Sequence, residues 1–185
     1  DPARRNAASY EMARQLAAAV ATVRDSDEVG ALVLTAAPPA FSAGGSLDDL
    51  ESPPGPLVEA YAGVEALLSC PFPTIAAVAG PAIGAGVNLA LVCDVILASP
   101  AAVFDCRFLD IGIHPGGGHL WQLRQRVGRQ GAAALVLLGD TLSGPEAEQR
   151  GLVWRWVDDP GLVPLALRLP RRAARRARRK ASGTS

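Results

Sequence analysis

Two glycine-bearing turns, each preceded by an apolar strand, are the features that most constrain how this chain folds. The first turn, 40–45 (AFSAGG), follows the apolar run 31–35 (ALVLT), and the second, 80–88 (GPAIGAGVN), follows 74–78 (TIAAV). Because glycine and alanine leave the backbone nearly bare, the N–H groups of both turns can approach a ligand closely. Two such groups from separate turns, aimed at one point, form an oxyanion hole. The pair of turns therefore predicts acyl chemistry.

The composition indicates one folded domain. The chain has 185 residues, of which 49% are hydrophobic and 19% charged, which is typical of a globular protein with a real core. No apolar run approaches the roughly 18 residues that a membrane span needs, and no basic-then-apolar leader opens the sequence. The three cysteines are odd in number and lack C-x-x-C spacing, which argues against a disulfide framework or a zinc site. We expect a cytoplasmic protein without a metal and without membrane contact.

The charges are unevenly distributed although the formal net charge is zero. Residues 171–180 hold seven of the 18 cations and no acid, which leaves 11 cations against 18 acids elsewhere. A nucleic-acid role for the whole protein is therefore not supported.

Apolar periodicity predicts an α/β fold. Ser9 is a candidate N-cap for the first helix, and Ser143 with Glu146 has the spacing of a capping box. Strands alternate with helices along the chain, which favours a sheet of mostly parallel strands. The predicted helices cover 11–23, 58–68, 86–93, 119–127 and 130–138, and the predicted strands cover 31–35, 74–78, 95–98, 103–104 and 152–157, with a loop at 52–56.

Five motifs stand in order over about residues 4–158: RNA at 5–7, FSAGG at 41–45, GAGVNLA with CD at 84–94, GIHPGGG at 112–118, and GD with GLV at 139–153. Together they resemble the enoyl-CoA hydratase/isomerase (crotonase) superfamily. The resemblance implies a crotonase-like repeated ββα superhelix as the acyl-CoA-binding core, 1–158, followed by a basic helical segment, 159–185. It also implies an acyl-CoA thioester as partner, coenzyme A only as part of the substrate, a homotrimer or dimer of trimers, and a role in fatty-acid metabolism.

The resemblance also implies roles for individual residues. The backbone N–H groups of Gly45 and Ala85 would form the oxyanion hole that stabilises a thioester enolate. Ala43 and Gly44 would lie along the adenine side of CoA, and Gly116 would offer a further N–H near the substrate.

The chain departs from the family at both catalytic carboxylates. Hydratases of this family use two glutamates, and the corresponding positions hold Asn88 and Phe108. Asn88 can hydrogen-bond but cannot transfer a proton near neutral pH, and Phe108 can do neither. If the stretch after Phe108 is extended, Asp110 points to the same face and becomes a displaced acid–base. The alternative interpretation is a solvent-facing or salt-bridged carboxylate. His114 is a second candidate base.

Several other polar residues are given structural interpretations. We expect His119 to be a capping or hydrogen-bonded core histidine, and Asp105 with Arg107 to be an exposed edge pair. Cys93 and Cys106 have no neighbouring histidine and are predicted to be buried, inert thiols. For the basic tail we favour a solvated terminal helix, with attraction of CoA phosphates as the preferred functional alternative.

The sequence therefore supports an enzyme, a lyase or isomerase, that stabilises a thioester enolate without the usual glutamates. Decarboxylation is one reaction that would tolerate their loss. A non-catalytic acyl-CoA-binding or scaffold subunit is the alternative, and nucleic-acid binding through the tail is the least favoured. Compared with the family, we expect truncated or missing terminal helices.

Overall fold

The computed structural model of the chain describes residues 1–26, 28–51 and 55–181, with the side chains of 50, 57 and 171–181 left out of the description. The helices and strands alternate as an α/β protein. Within the described residues the order is α1 (Tyr10–Arg24), β1 (Leu32–Leu34), α2 (Leu47–Glu51), α3 (Leu57–Ala60), α4 (Ala62–Leu68), β2 (Thr74–Val78), β3 (Ala82–Ile83), α5 (Ala85–Leu91), β4 (Val95–Ala98), β5 (Val103–Asp105), α6 (His119–Leu137), β6 (Thr141–Ser143), α7 (Gly144–Gln149), β7 (Arg155–Trp156) and α8 (Asp159–Ala181).

The larger sheet is parallel and has the strand order β1-β2-β4-β7. Its register pairs Val33 with Ile75 and Ala77 with Leu97. All five residues of β2 are buried, as expected for a central parallel strand covered on both faces. The strands predicted at 74–78 and 95–98 have these bounds in the structure.

The smaller sheet has the order β3-β5-β6, with β3 parallel and β6 antiparallel to β5. Its strand β3 lies within the second glycine turn, and Gly84 N–H donates to the carbonyl of Asp105 at the end of β5 (2.7 Å). This sheet therefore fixes the second turn relative to the segment that follows β5.

The predicted local caps are present. Ser9 accepts from the N–H of Met12 at the start of α1. Ser143 and Glu146 form the reciprocal capping box of α7. Each pair satisfies backbone groups that a helix end leaves unpaired.

Four predicted elements differ clearly in extent. The helix predicted over 58–68 is two short helices, because Tyr61 has φ −100° and ψ 2° and ends the first of them. The helices predicted over 119–127 and 130–138 form one element, α6, kinked at Gly128 with φ 71°. The predicted strand 152–157 is reduced to Arg155–Trp156, since only Leu97 and Ala98 of β4 pair with it. The loop predicted at 52–56 lies partly outside the described residues.

The first half of α8 belongs to the core. Leu162, Leu165 and Ala166 are buried and pack with Ile75 and Leu97 on one face of the parallel sheet. The side chains of the basic tail lie outside the described residues, so their predicted arrangement stays a prediction. Among the described helices, none combines the length and apolar character that crossing a bilayer requires.

Candidate active site

The two glycine turns pack directly against each other. A Cβ built on Gly86 would lie 2.6 Å from the carbonyl oxygen of Ser42, and one built on Gly44 would lie 2.7 Å from the carbonyl oxygen of Ile83. Gly44 also has φ +93°, a conformation that side-chain-bearing residues rarely adopt. The two glycines therefore permit an approach of the turns that any side chain would obstruct.

Hydrogen bonds to residues 5–8 hold the first turn. Ala43 N–H donates to the carbonyl of Arg5 (2.9 Å), Gly44 N–H to Ser42 Oγ (3.3 Å), and the carbonyl of Gly44 accepts from Ala8 N–H (2.7 Å). In the described part of the chain, the N–H of Gly45 donates to no protein group. The turn therefore presents one N–H that is open to a ligand.

The second turn presents a comparable group. Ala85 is the first residue of α5, whose initial N–H groups have no partner within the helix. Gly84 precedes it with φ 49° and ψ −116°, which turns the chain sharply into α5. Among the hydrogen bonds of the described residues, none has Ala85 N–H as its donor. An ideal Cβ on Gly44 would lie 3.7 Å from this nitrogen, so the two turns meet beside it.

A cleft of about 620 Å³ opens where the two turns meet. Six of the nine predicted site residues line it, whereas Asn88, Asp110 and Gly116 do not. The six are Ala43, Gly44, Gly45, Ala85, Phe108 and His114.

Asn88 is buried and bonded within the protein. Its Nδ2 donates to the carbonyl of Gly116 (3.1 Å), and its Oδ1 lies 2.5 Å from Nδ1 of His119. With Oδ1 as acceptor, Nδ1 of His119 carries the proton. His119 is thus the hydrogen-bonded core histidine that we predicted, and Asn88 ties α5 to the 116–119 turn.

The His119 ring has one nitrogen without a partner. Within the described residues, Nε2 is buried and forms no hydrogen bond, and the ring packs edge-on against Phe108 with centroids 4.8 Å apart. Burial lowers the pKa of His119 to about 4. The imidazole is therefore neutral at physiological pH.

We expect His119 to make the fold sensitive to acid. An unfolded chain binds a proton at histidine near pH 6.5, whereas the native His119 does so only near pH 4. Between these values the unfolded state holds more protons, so the free energy of unfolding falls as the pH decreases, by about 2–3 kcal/mol between pH 7.5 and 4.5. A His119→Gln variant, which keeps a donor toward Asn88, should lack this pH-dependent loss of stability. Urea denaturation at pH 7.5 and 4.5 measures the free energy of unfolding. An equal decrease in the unmodified protein and in the His119→Gln variant would contradict the prediction.

Phe108 occupies the cleft wall, and the segment after it is not extended. Residues Leu109–Ile111 form a 3₁₀ turn that ends at Gly112 with φ 70°. The condition that would have placed Asp110 on the same face as Phe108 is therefore not met, and Asp110 is exposed. His114 is also exposed, but it lines the cleft.

Asp105 and Arg107 are not an exposed pair, which corrects the prediction. Asp105 is buried at the end of β5, and its carboxylate accepts from Arg107 Nε (2.8 Å) and Nη2 and from the Arg107 backbone N–H. This carboxylate raises the pKa of Arg107. The guanidinium is half exposed and lines the cleft, so it adds a fixed positive charge there.

The buried thiols are as predicted. Cys93 and Cys106 are buried, and loss of solvation raises the pKa of each to about 12. Both stay protonated at physiological pH, so neither is an activated nucleophile.

Tyr61 is the lining residue that sequence reasoning missed. Its spacing with Val64, Leu67 and Leu68 indicated only the apolar face of a helix. In the structure it ends α3 and lines the cleft, with its ring over the 116–117 turn. No local pattern marks this role, because the contact joins segments 55 residues apart.

Solved structures share this architecture. An enoyl-CoA hydratase subunit from Geobacillus kaustophilus is 34% identical and superposes with a TM-score of 0.85 over 93% of this chain and 68% of that chain. An enoyl-CoA hydratase/isomerase from Pseudoalteromonas atlantica is 31% identical, with a TM-score of 0.86 over 98% of this chain and 76% of that one. The crotonase-like α/β fold predicted from the motifs is thus confirmed.

Sequence relatives agree with the structural ones. The enoyl-CoA hydratase/isomerase family model matches residues 1–182, and the chain belongs to this family. A probable enoyl-CoA hydratase of Mycobacterium tuberculosis is 45% identical over 90% of the chain and 67% of its own length. The 1,2-epoxyphenylacetyl-CoA isomerase of Escherichia coli is 37% identical over 94% of the chain and 70% of its length. The chain thus spans about two thirds of these relatives.

Proposed function

We propose that the cleft binds an acyl-CoA thioester and stabilises its enolate. The single observation that carries this proposal is the meeting of two turns that each leave one backbone N–H, of Gly45 and of Ala85, without a protein acceptor in the described residues. Such paired donors stabilise a bound thioester most strongly when negative charge develops on its carbonyl oxygen. The family membership supports the same substrate class.

The rest of the cleft supports an elongated, amphipathic ligand. Ala43 and Gly44 line one part, which we assign to the adenine side of CoA, and the cations Arg5 and Arg107 supply charge that suits phosphates or an acidic acyl group. Apolar residues surround the remainder and suit an acyl chain, among them Leu89, Phe108, Ile111 and Ile113.

The proposed reaction is not hydration by two glutamates. The positions that carry them in the family hold Asn88, whose side chain is engaged by His119 and Gly116, and Phe108, which is apolar. The proposed activity is a lyase or isomerase reaction that passes through an enolate, with decarboxylation as one member. Proton transfer, where the reaction needs it, is assigned to His114, which lines the cleft.

The replacement of both carboxylates also favours a second candidate function. A subunit that binds acyl-CoA without converting it would keep the two turns and lose the acids. We therefore retain a non-catalytic acyl-CoA-binding or scaffold role as the alternative.

Turnover of a thioester panel distinguishes the two functions. Enoyl-, 3-hydroxyacyl- and malonyl-type CoA esters are incubated with the protein, products are followed by mass spectrometry, and binding of each ester is measured in parallel. Conversion that His114→Ala abolishes would support an enzyme with a relocated acid–base group. Binding of the esters without conversion would support the alternative, and no binding at all would overturn both.

We further propose self-association, with a homotrimer as the expected state. The apolar side chains of Trp121, in the first turn of α6, and of Leu138, directly after its last residue, are 64% and 82% exposed, and burial of such groups favours an interface. Light scattering coupled to size exclusion measures the state, and a monomer at micromolar concentration would contradict the proposal.

A further inference from the structure

The hydroxyl of Tyr61 stands at a defined point of the cleft. A Cβ built on Gly116 would lie 1.9 Å from the Tyr61 hydroxyl oxygen, and one built on Gly117 would lie 2.6 Å from Cε1 of the same ring. The hydroxyl therefore fills the space that a side chain at 116 would take. Glycine at both positions allows the ring to lie close against the turn.

The backbone under the ring is held in place. Asn88 donates to the carbonyl of Gly116, and its Nδ2 lies 2.9 Å from where a Gly117 Cβ would stand. Asn88 follows Ala85 by three residues on α5, which places it about 4.5 Å further along the helix axis on the same side. The Tyr61 hydroxyl is therefore positioned near the acyl end of a thioester whose carbonyl meets Ala85.

Among the described residues, the Tyr61 hydroxyl takes part in no hydrogen bond, although the residue is half-buried and lines the cleft. Burial also raises the pKa of Tyr61, so the phenol stays protonated and remains a donor at physiological pH. The surrounding wall is apolar, with Leu89 and Phe108 among its members. A half-buried donor in such a wall is satisfied best by an oxygen of the ligand.

We infer that Tyr61 is a specificity-determining residue whose hydroxyl donates a hydrogen bond to an oxygen on the acyl chain, so that the cleft prefers oxygenated acyl-CoA esters to plain ones. The inference rests on the proposed acyl-CoA binding. It assigns Tyr61 a binding role that does not depend on which reaction follows. A saturated chain would leave the hydroxyl without an acceptor when the ligand displaces water.

The test compares two CoA esters of equal length and charge, butyryl-CoA and 3-hydroxybutyryl-CoA, by isothermal titration calorimetry. The whole chain is expected to bind the hydroxylated ester about 3- to 10-fold more tightly, which is the range for one net hydrogen bond. Tyr61→Phe should remove this preference while the affinity for butyryl-CoA stays within about twofold. Because both esters carry the same charge, the cations of the cleft do not contribute to the ratio.

Tyr10→Phe is the matched control. Tyr10 also borders the cleft, but its hydroxyl already donates to the carbonyl of Gly55 (2.9 Å), so its removal should leave the preference intact. Equal affinities of the unmodified protein for the two esters, or a preference that survives in Tyr61→Phe, would overturn the inference. Failure of both esters to bind would instead overturn the proposed function.

Discussion

Replacing Ala85 with proline is expected to lower thioester turnover by about 10²- to 10³-fold, the cost of one lost oxyanion-hole donor in other enzymes. Proline removes the N–H of Ala85 and leaves the helix intact, because the first position of a helix tolerates it. Gly84, which precedes it, has no Cβ to clash with the proline ring. The measurement is kcat on whichever thioester of the panel is converted.

Affinity should change much less than turnover. The neutral carbonyl of a bound ester accepts a weaker hydrogen bond than an enolate oxygen does, so the dissociation constant for the ester should rise by no more than about tenfold. Ala85→Gly, which keeps the N–H, is the control and should retain turnover within a few-fold. Equal turnover by the proline and glycine variants, with both folded by circular dichroism, would refute the role of this N–H.

Replacing Gly86 with alanine is expected to lower the free energy of unfolding by about 3 kcal/mol, the upper part of the usual range for overpacking. The new methyl group would lie 2.6 Å from the carbonyl oxygen of Ser42 and 2.8 Å from its Cβ. Ser42 cannot retreat easily, because its N–H donates to Pro81 and its carbonyl accepts from Ile83. The two turns must separate, so affinity for acyl-CoA should fall together with stability. Urea denaturation and calorimetry measure the two effects.

Gly161→Ala supplies the matched comparison. Gly161 lies in α8 with no other atom within 4 Å of its ideal Cβ, so alanine there should cost nothing and gain up to about 1 kcal/mol from helix propensity. Similar stabilities for the Gly86→Ala and Gly161→Ala variants would show that the turns are not in close contact.

The elements that the sequence predicted well are those whose signal is local. The strand over Thr74–Val78 is a continuous apolar run between prolines and a glycine turn, and its bounds follow from those residues. The capping box at Ser143 depends on two residues three positions apart. By contrast, the 3₁₀ turn at Leu109–Ile111 has no periodic pattern, and the extended stretch that would have aligned Asp110 with Phe108 does not form.

The polar residues of the site show the same division. The sequence suggested an exposed edge pair for Asp105 and Arg107, yet the position of β5 between β3 and β6 buries the Asp105 carboxylate. Burial is a property of what packs around a strand end, and three residues of sequence do not specify it. His119 was predicted as a core histidine, but only the structure identifies Asn88 as its partner.

By itself, the sequence determined the fold family and the positions of the two glycine turns, because strand runs, glycines and motif spacing are encoded within short segments. Its resemblance to the family also predicts that Asn88 and Phe108 stand at the positions of the two usual glutamates. The tertiary structure alone decided that Asn88 is engaged by His119 and Gly116, that Arg107 is fixed at the cleft, and that the Tyr61 hydroxyl lies over the 116–117 turn. These contacts join segments 28 to 55 residues apart or depend on burial, and packing of the whole chain is what brings them together.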